Sequence, residues 1–201
     1  ALRADYRGKQ PWMKYDASGN ALETEDVPSF ELITSSDRFA AADGLWKATE
    51  EFDAACERAG AITGDFSEFS PGTLKKLVHQ AEQLCQKEPA FLDGFAFRAG
   101  ALVHERRFEE ARQLSEPVLE AVFKLLSKSA KQHRVRKYFA PYLYLPNRPF
   151  HRLAHALVLA YCGLSQLEKA QALCRRMLAL WPNDNIGFRF IEQDPRLEFE
   201  D

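Results

Sequence analysis

From residue 37 onward, apolar residues recur every three or four positions, and prolines or glycines interrupt the pattern at helix-length intervals. This period gives an α-helix one apolar face that packs against its neighbours. The predicted helices cover about 37–60, 70–89, 92–105, 108–125, 150–163, 166–181 and 183–193. The pattern therefore predicts an all-α fold for most of the chain.

Residues with known end preferences support several of these bounds. Ser70 stands where a side-chain oxygen accepts a hydrogen bond from the first turn of a helix. Ser165, with Glu168 three residues later, has the spacing of a capping box. Asn183 or Asp184 is suited to cap the last helix. The sequence thus predicts distinct helices joined by short turns.

Residues 1–36 have a different character, because short stretches of mixed polarity flank a Ser-Gly-Asn turn. Such a pattern is typical of a hairpin or an extended arm. We therefore divide the chain into a short irregular N-terminal arm, 1–36, and a helical domain, 37–201. A basic insertion at about 124–149 interrupts the helical domain.

Two helix pairs share the same internal spacing at an offset of 59 residues. Both pairs carry a small residue early in the second helix and aromatic or aliphatic residues at matched places in both helices. The matched positions are Phe95 and Ala154, Ala99 and Val158, Leu102 and Tyr161, Phe108 and Leu167, Ala111 and Ala170, and Val118 and Met177. Shared spacing of this kind is the mark of a structural repeat.

This pattern resembles the tetratricopeptide repeat family. The resemblance is carried by Leu157 and Tyr161 on the first helix, Ala170 at the crossing of the two helices, and Pro182 after the second. It is good over 152–184, fair over 93–122, and reduced to half a repeat over 74–89. It implies antiparallel helix pairs stacked into a right-handed superhelix.

The chain also departs from the family pattern at three places. Val158 stands where the family usually has Gly or Ala, and the insertion of about 25 residues separates the two best units. Pro117 lies within a predicted second helix, where a proline kinks the helix or restarts it. A generic helical bundle of amphipathic helices remains the alternative fold.

The resemblance also implies a partner surface, because the first helices of such repeats line a concave groove for a peptide or a helix. The matching positions are Arg152, His155, Leu159 and Cys162 in the last repeat and Asp93, Ala96, Gly100 and Val103 in the earlier one. The Lys and Asn clamp that some family members use for a terminal carboxylate is absent. A mixed apolar and weakly basic groove fits a hydrophobic peptide that carries an acid.

Charge is spread unevenly along the chain, although the formal net charge is only −2. Residues 1–70 contain 14 acidic and 7 basic residues, whereas 121–167 contain eight Lys and Arg and no acid. Within that window, aromatic residues alternate with a possible basic patch of Lys131, Arg134, Arg136 and Lys137. Cations neutralise phosphates and aromatic rings stack on bases, so a nucleic-acid-binding helical protein is the alternative function.

Two simpler explanations of the basic segment stay open. In the first, its aromatic residues pack the insertion onto the core and its cations face water. In the second, the cations form ion pairs with the acidic first 70 residues.

Catalytic and metal-binding patterns are weak. His151 and His155 lie four residues apart, which places both on one side of a helix, but the spacing offers no third metal ligand. Neither a phosphate-binding glycine loop nor a nucleophile elbow occurs. We therefore predict no metal, no cofactor, no catalytic residue and no enzymatic activity.

The cysteines and the hydropathy pattern bear on the compartment. Cys56, Cys85, Cys162 and Cys174 all fall in apolar helical stretches, as buried thiols in a reducing compartment do. No run approaches the roughly 20 apolar residues of a membrane helix. We therefore expect a cytoplasmic protein-interaction module, a scaffold or adaptor, whose partner is a protein or peptide and not a membrane.

Overall fold

The structure is a computed structural model of the 201-residue chain and describes residues 2–15, 21–34, 42–58 and 66–196. These residues form two strands and seven α-helices: β1 Leu2–Tyr15, β2 Ala21–Thr34, α1 Ala42–Arg58, α2 Pro71–Lys87, α3 Leu92–His104, α4 Phe108–Gln132, α5 Arg148–Gly163, α6 Leu167–Leu180 and α7 Phe188–Gln193. The chain is mainly helical, as predicted, but the strands make "all-α" incomplete. Among the described helices, none combines the length and apolar character needed to cross a bilayer.

The N-terminal residues form an antiparallel pair of strands, in which Tyr6 lies opposite Phe30. The register shifts between Tyr6 and Lys9, where Gly8 has φ 75°. A bulge with glycine in this left-handed region strengthens the local twist of the strand pair. The structure thus follows the hairpin alternative, and the Ser-Gly-Asn turn at 18–20 lies outside the described residues. The division at residue 36 stays a prediction.

The hairpin packs on the helices through β2, whose second edge meets the loop between α4 and α5. The backbone N–H of Phe30 donates to the Phe139 carbonyl at 2.9 Å, and the N–H of Phe139 donates to the Pro28 carbonyl at 2.8 Å. Phe30 and Leu32 are fully buried in the main hydrophobic core. The N-terminal arm is therefore part of the packed structure.

Asn147 extends this contact with its side chain, which is fully buried. Its Oδ1 accepts a hydrogen bond from the Leu32 N–H at 2.8 Å. Its Nδ2 donates to the carbonyls of Phe30 and Pro141, both at 3.0 Å. The amide thus satisfies backbone groups that would otherwise be buried without partners.

The turns after α3 and α5 have the same backbone geometry. Arg106 has φ 57° and Ser165 has φ 58°. The next residue in each turn donates its N–H back into the helix at 2.8 Å, from Arg107 to the Leu102 carbonyl and from Gln166 to the Tyr161 carbonyl. These pairs are 59 residues apart, which is the offset seen in the sequence.

Helix packing follows chain order, since each of α2 to α5 contacts the next helix, and α3 also contacts α5. Ala111 and Ala170 are fully buried, and Ala170 belongs to the same core cluster as Leu157. Ala170 is thus buried, as expected of a small residue at the crossing of two helices. Small side chains at matched positions allow the paired helices to approach closely.

The predicted cap at Ser70 is confirmed and the one at Ser165 is wrong, while Asp184 binds the start of α7 from outside the helix, whose N-cap position is Gly187. The Ser70 side chain accepts from the Thr73 N–H at 3.2 Å, and the Asp184 carboxylate accepts from the four backbone N–H groups of 186–189. The Ser165 capping box does not form, because Ser165 instead closes the turn that ends α5. Gln166 precedes α6 without a side-chain cap.

Helix α4 is longer than predicted and runs unbroken past Pro117 to Gln132. Proline leaves the carbonyl four residues earlier, that of Gln113, without its helical donor. Both Pro117 and Gln113 lie on the exposed side of α4, where water can replace the missing bond. The helix therefore does not restart at Pro117, as one predicted outcome required.

Candidate partner groove and basic segment

The two residues predicted to start the groove lie side by side. Arg152 on α5 donates from Nη2 to Asp93 Oδ1 on α3 at 3.2 Å. Their separation of 59 residues equals the repeat offset, so the packing of α3 against α5 brings equivalent positions together. The charge of Arg152 is therefore already neutralised within the protein, by Asp93.

The environment of the carboxyl groups around this ion pair disfavours their ionised form. Burial raises the pKa of Asp93 to about 6, against the opposing effect of the Arg152 charge, and the charge of Asp53 raises it further. Burial also raises the pKa of Asp53 on α1, where Arg152 opposes the shift and Glu57 adds to it. The Arg152 charge therefore acts on two carboxyl groups, Asp93 on α3, which it contacts, and Asp53 on α1.

Asp53 was not predicted as a groove residue, although it belongs to this cluster. It lies on α1, which is separated from the repeats by a long connection, and no fixed spacing relates it to Asp93. The signal available in the sequence was the acidic character of residues 1–70. The acidic character of residues 1–70 indicates a region that could face the cations, but it does not identify Asp53.

His155 does not provide the positive charge expected of it. Its ring is half-buried and lies edge-on to Phe188 of α7, with 5.9 Å between ring centroids. Burial lowers the pKa of His155, against a weaker opposing effect of Asp184. The imidazole is therefore neutral at pH 7 and contributes an aromatic, polar edge instead of a cation.

The remaining predicted groove positions are less accessible than a fully exposed face. Ala96 is 7% exposed, so its side chain offers little surface to a partner. Leu159 is half-buried and packs against the main core. The accessible part of the predicted surface thus centres on Arg152, with Asp93 and Leu159 partly accessible beside it.

The environment of His151 does not favour metal binding. It is 2% exposed, and its Nε2 lies 2.8 Å from the Ala140 carbonyl, a distance at which the imidazole N–H donates. Burial lowers its pKa to about 4, against this hydrogen bond and the charge of Asp184. Within residues that the structure describes, no group of three or more His, Cys, Asp or Glu side chains is placed to hold a metal.

Burial keeps the thiols of Cys56, Cys85 and Cys174 protonated at neutral pH. Burial raises the pKa of Cys56 and of Cys85 to about 11, and that of Cys174 to about 12. The nucleophilic form of cysteine is the thiolate, so burial suppresses reactivity at these positions. The described ranges include all four cysteines, and none forms a disulfide.

The cations of the basic segment have different environments. Lys137 forms an ion pair with Glu25 of β2, with both Nζ–O distances at 3.0 Å, and lies 5.8 Å from the centroid of the Phe139 ring. This contact matches the suggestion that cations pair with the acidic N-terminal region. Lys131, Arg134 and Arg136 are exposed.

The aromatic residues of the segment pack inward. Tyr138 makes an edge contact with Phe30 at 5.3 Å, and Phe139 does so with Trp181 at 6.1 Å. Tyr142 stands against His151 at 5.6 Å. These rings fix the insertion to the hairpin and the core, so they do not form a row of exposed stacking surfaces.

Comparison with protein-family models, with curated proteins and with solved structures finds no match for this chain. The contacts within the molecule are therefore the basis for inferring its function. Chief among these are the ion pair that joins α3 to α5 and the exposed cations that follow the middle of α4.

Proposed function

We propose that the chain is a tetratricopeptide-like interaction module, a scaffold or adaptor that holds a peptide or a partner helix along α1, α3 and α5. The observation that carries this proposal is the Arg152–Asp93 ion pair, because it joins equivalent positions of two helix pairs that share one turn geometry. The proposed arrangement of the pairs is a right-handed superhelix. Its concave side would carry this ion pair.

The ion pair suggests how such a surface selects its ligand. The Arg152 side chain is 55% exposed, so a carboxylate of the ligand can reach the guanidinium and compete with Asp93. The raised pKa of Asp93 favours this exchange, because the Asp93 charge is costly where it lies. Leu159 and the neutral edge of His155 supply the apolar part of the contact. The preferred ligand is a hydrophobic peptide that carries an acid.

No catalytic role is part of the proposal. The raised pKa values of Cys56, Cys85 and Cys174 support this view, as does the burial of His151. The protein would act through binding alone.

A matched pair of charge reversals tests the groove. Peptides selected from a random displayed library against the full chain are titrated by fluorescence anisotropy into wild type, Arg152→Glu and Arg175→Glu. The control is close, because the Arg152–Asp93 side chains are 55% and 32% exposed and those of Arg175–Glu192 are 59% and 31% exposed. Both variants lose one exposed ion pair, but only Arg152 lies on the proposed surface.

We expect Arg152→Glu to weaken binding by about tenfold or more, because a charge-assisted contact becomes a repulsion. Arg175→Glu should change binding by less than about twofold. Thermal unfolding of both variants checks that the fold persists. Equal affinities for Arg152→Glu and wild type would exclude the groove as the binding surface.

A further inference from the structure

Helix α4 is longer than its repeat counterpart, and the added turns carry Lys124, Lys128 and Lys131, none of which pairs with a described carboxylate. It has 25 residues, whereas α6 has 14. At the offset of 59, Trp181, which follows the end of α6, corresponds to Val122 of α4. The turns from Phe123 onward therefore have no counterpart in the second pair, so repeat packing alone does not explain them.

Three exposed cations of this region share one side of α4, and two more follow the end of the helix. Lys124, Lys128 and Lys131 follow at intervals of four and three residues, which places them on one side of α4. Arg134 and Arg136 come directly after the helix, and Arg134 adopts φ 55° in the turn that ends it. We call these five exposed residues the basic surface.

No acid neutralises the basic surface from within the described ranges. None of its five cations has a carboxylate oxygen within 4.0 Å there, whereas the neighbouring Lys137 is paired with Glu25. Arg148 is likewise occupied, since it donates to the Tyr142 carbonyl and lies over the Tyr142 ring. Because residues 121–167 contain no acid, the positive potential is not cancelled along the chain either.

The helix dipole accounts for only part of this arrangement. A cation stabilises the negative C-terminal end of a helix, but the effect is confined to about the last turn. Lys131 lies in the last turn of α4, while Lys124 lies about two turns from its end. Lys124 and Lys128 are therefore not explained by capping, and their position with Lys131 on one side of α4 fits an external anion.

The surroundings distinguish between kinds of anion. Tyr138, Phe139 and Tyr142 are engaged in internal ring contacts, so the segment lacks the base-stacking platform of a typical single-strand binder. Among the described residues, the exposed large apolar side chains are Met13, Leu143, Leu145 and Phe190. None of them lies within 124–136, where a membrane-inserting surface needs an apolar side chain.

We propose that the basic surface binds the phosphate backbone of a double-stranded nucleic acid without reading its sequence. Five exposed cations without stacking rings are suited to phosphate contacts, which give affinity but little sequence information. This surface shares no residue with the groove around Arg152, so this proposal does not depend on the proposed function.

The test is the binding of a fluorescent duplex of about 20 base pairs to the full chain, followed by anisotropy at about 50 and about 200 mM salt. Five phosphate contacts predict a slope of log affinity against log salt of about −4 to −5, hence a loss of about 10²–10³-fold over this range. Duplexes of two unrelated sequences should bind alike. A single strand of the same length should bind no tighter than the duplex.

A matched pair of double variants assigns the binding to the basic surface. Lys124→Gln with Lys128→Gln should make the salt slope shallower by about 2, because two phosphate contacts are lost. Lys75→Gln with Lys76→Gln removes the same charge from exposed positions of α2 and should leave the slope unchanged.

Three results would overturn the proposal. The first is no duplex binding at about 50 mM salt. The second is an equal loss in the two double variants, which would show that net charge alone is responsible. The third is tighter binding to vesicles of phosphatidylserine and phosphatidylcholine than to the duplex.

Discussion

His151 shows how burial reverses the role suggested by residue type. Its position beside His155 on α5 agrees with the helical spacing, but one ring is enclosed beneath the insertion and the other lies against α7. The partners that enclose them, Ala140 and Phe188, are distant enough in sequence that periodicity does not identify them. Spacing therefore predicted the shared helix correctly, but not that burial lowers the pKa of both imidazoles or that His151 is enclosed in the core.

We expect His151 to make the fold sensitive to acid. Its pKa is about 4 in the folded state against 6.5 as the ordinary value, so between these values the unfolded chain binds a proton that the folded chain does not. Stability is therefore lost as the pH falls through this window, by up to about 3 kcal/mol from this residue. The lowered pKa of His155 acts in the same direction, whereas the raised pKa of Asp93 opposes both.

The variant that isolates this effect is His151→Gln, which keeps an N–H donor for the Ala140 carbonyl but does not gain a proton. Urea unfolding at several pH values should give a shallower acid dependence for His151→Gln than for wild type. His79→Gln changes an exposed histidine of α2 and should keep the wild-type slope. An unchanged slope in His151→Gln would mean that other groups control the acid response.

At the level of helices, the bounds of α2, α3, α5 and α6 were predicted to within two residues because the apolar period and the end residues are local signals, whereas the end of α4 and the start of α7 were not. The N-terminus of α2 follows from Ser70, whose oxygen accepts from its own first turn. The error at Ser165 has a local cause as well, since the same residue type suits a helix start and a left-handed turn. Which role Ser165 takes depends on carbonyls of α5 that already bind the turn N–H groups.

The crossing of paired helices provides a test of the repeat. Ala111 and Ala170 are both fully buried at equivalent positions, so a larger side chain must push the helices apart. We expect Ala111→Leu and Ala170→Leu each to lower the free energy of unfolding by roughly 1–3 kcal/mol. Denaturant unfolding followed by circular dichroism measures this change.

The control for overpacking lies on the same helix. Ala172→Leu adds the same atoms at an exposed position of α6 and should change stability by no more than about 0.5 kcal/mol. A cost at Ala170 with none at Ala111 would show that the two pairs do not cross in the same way.

For the whole molecule, the sequence indicated a helical domain and a possible hairpin but not how the two pack together. The contacts that join them link residues more than a hundred positions apart, such as Ser129 with Ala4 and Asn147 with Leu32. Asn147 binds the backbone of β2 with its side chain, as a neighbouring strand would with its backbone. No local sequence pattern predicts such a contact. The groove was only partly predictable for the same reason, since Asp53 reaches it through tertiary packing.

We expect Asn147→Ala to loosen the hairpin from the helices. The change leaves the Leu32 N–H and the carbonyls of Phe30 and Pro141 without the Asn147 bonds, at roughly 1–3 kcal/mol for each buried group that stays unsatisfied. Hydrogen exchange at the Leu32 amide should accelerate along with a loss of global stability. Asn183→Ala, at a half-buried position after α6, should change neither.

If Leu32 exchange stayed at its wild-type rate in Asn147→Ala, the backbone pairing of Phe30 with Phe139 alone would hold the hairpin in place. The prediction therefore separates the contribution of one side chain from that of the adjoining backbone bonds.

The pairing of β2 with residues 139–147 also has a consequence during protein synthesis. Asn147 follows Leu32 by 115 residues, so a ribosome that adds about 5–20 residues per second completes it roughly 6–23 s later. Throughout that interval the nascent hairpin has an open edge and an apolar face without its native cover. Nearby chains on the same messenger could pair with that edge, so slower translation of the helical region should favour misassembly at the ribosome.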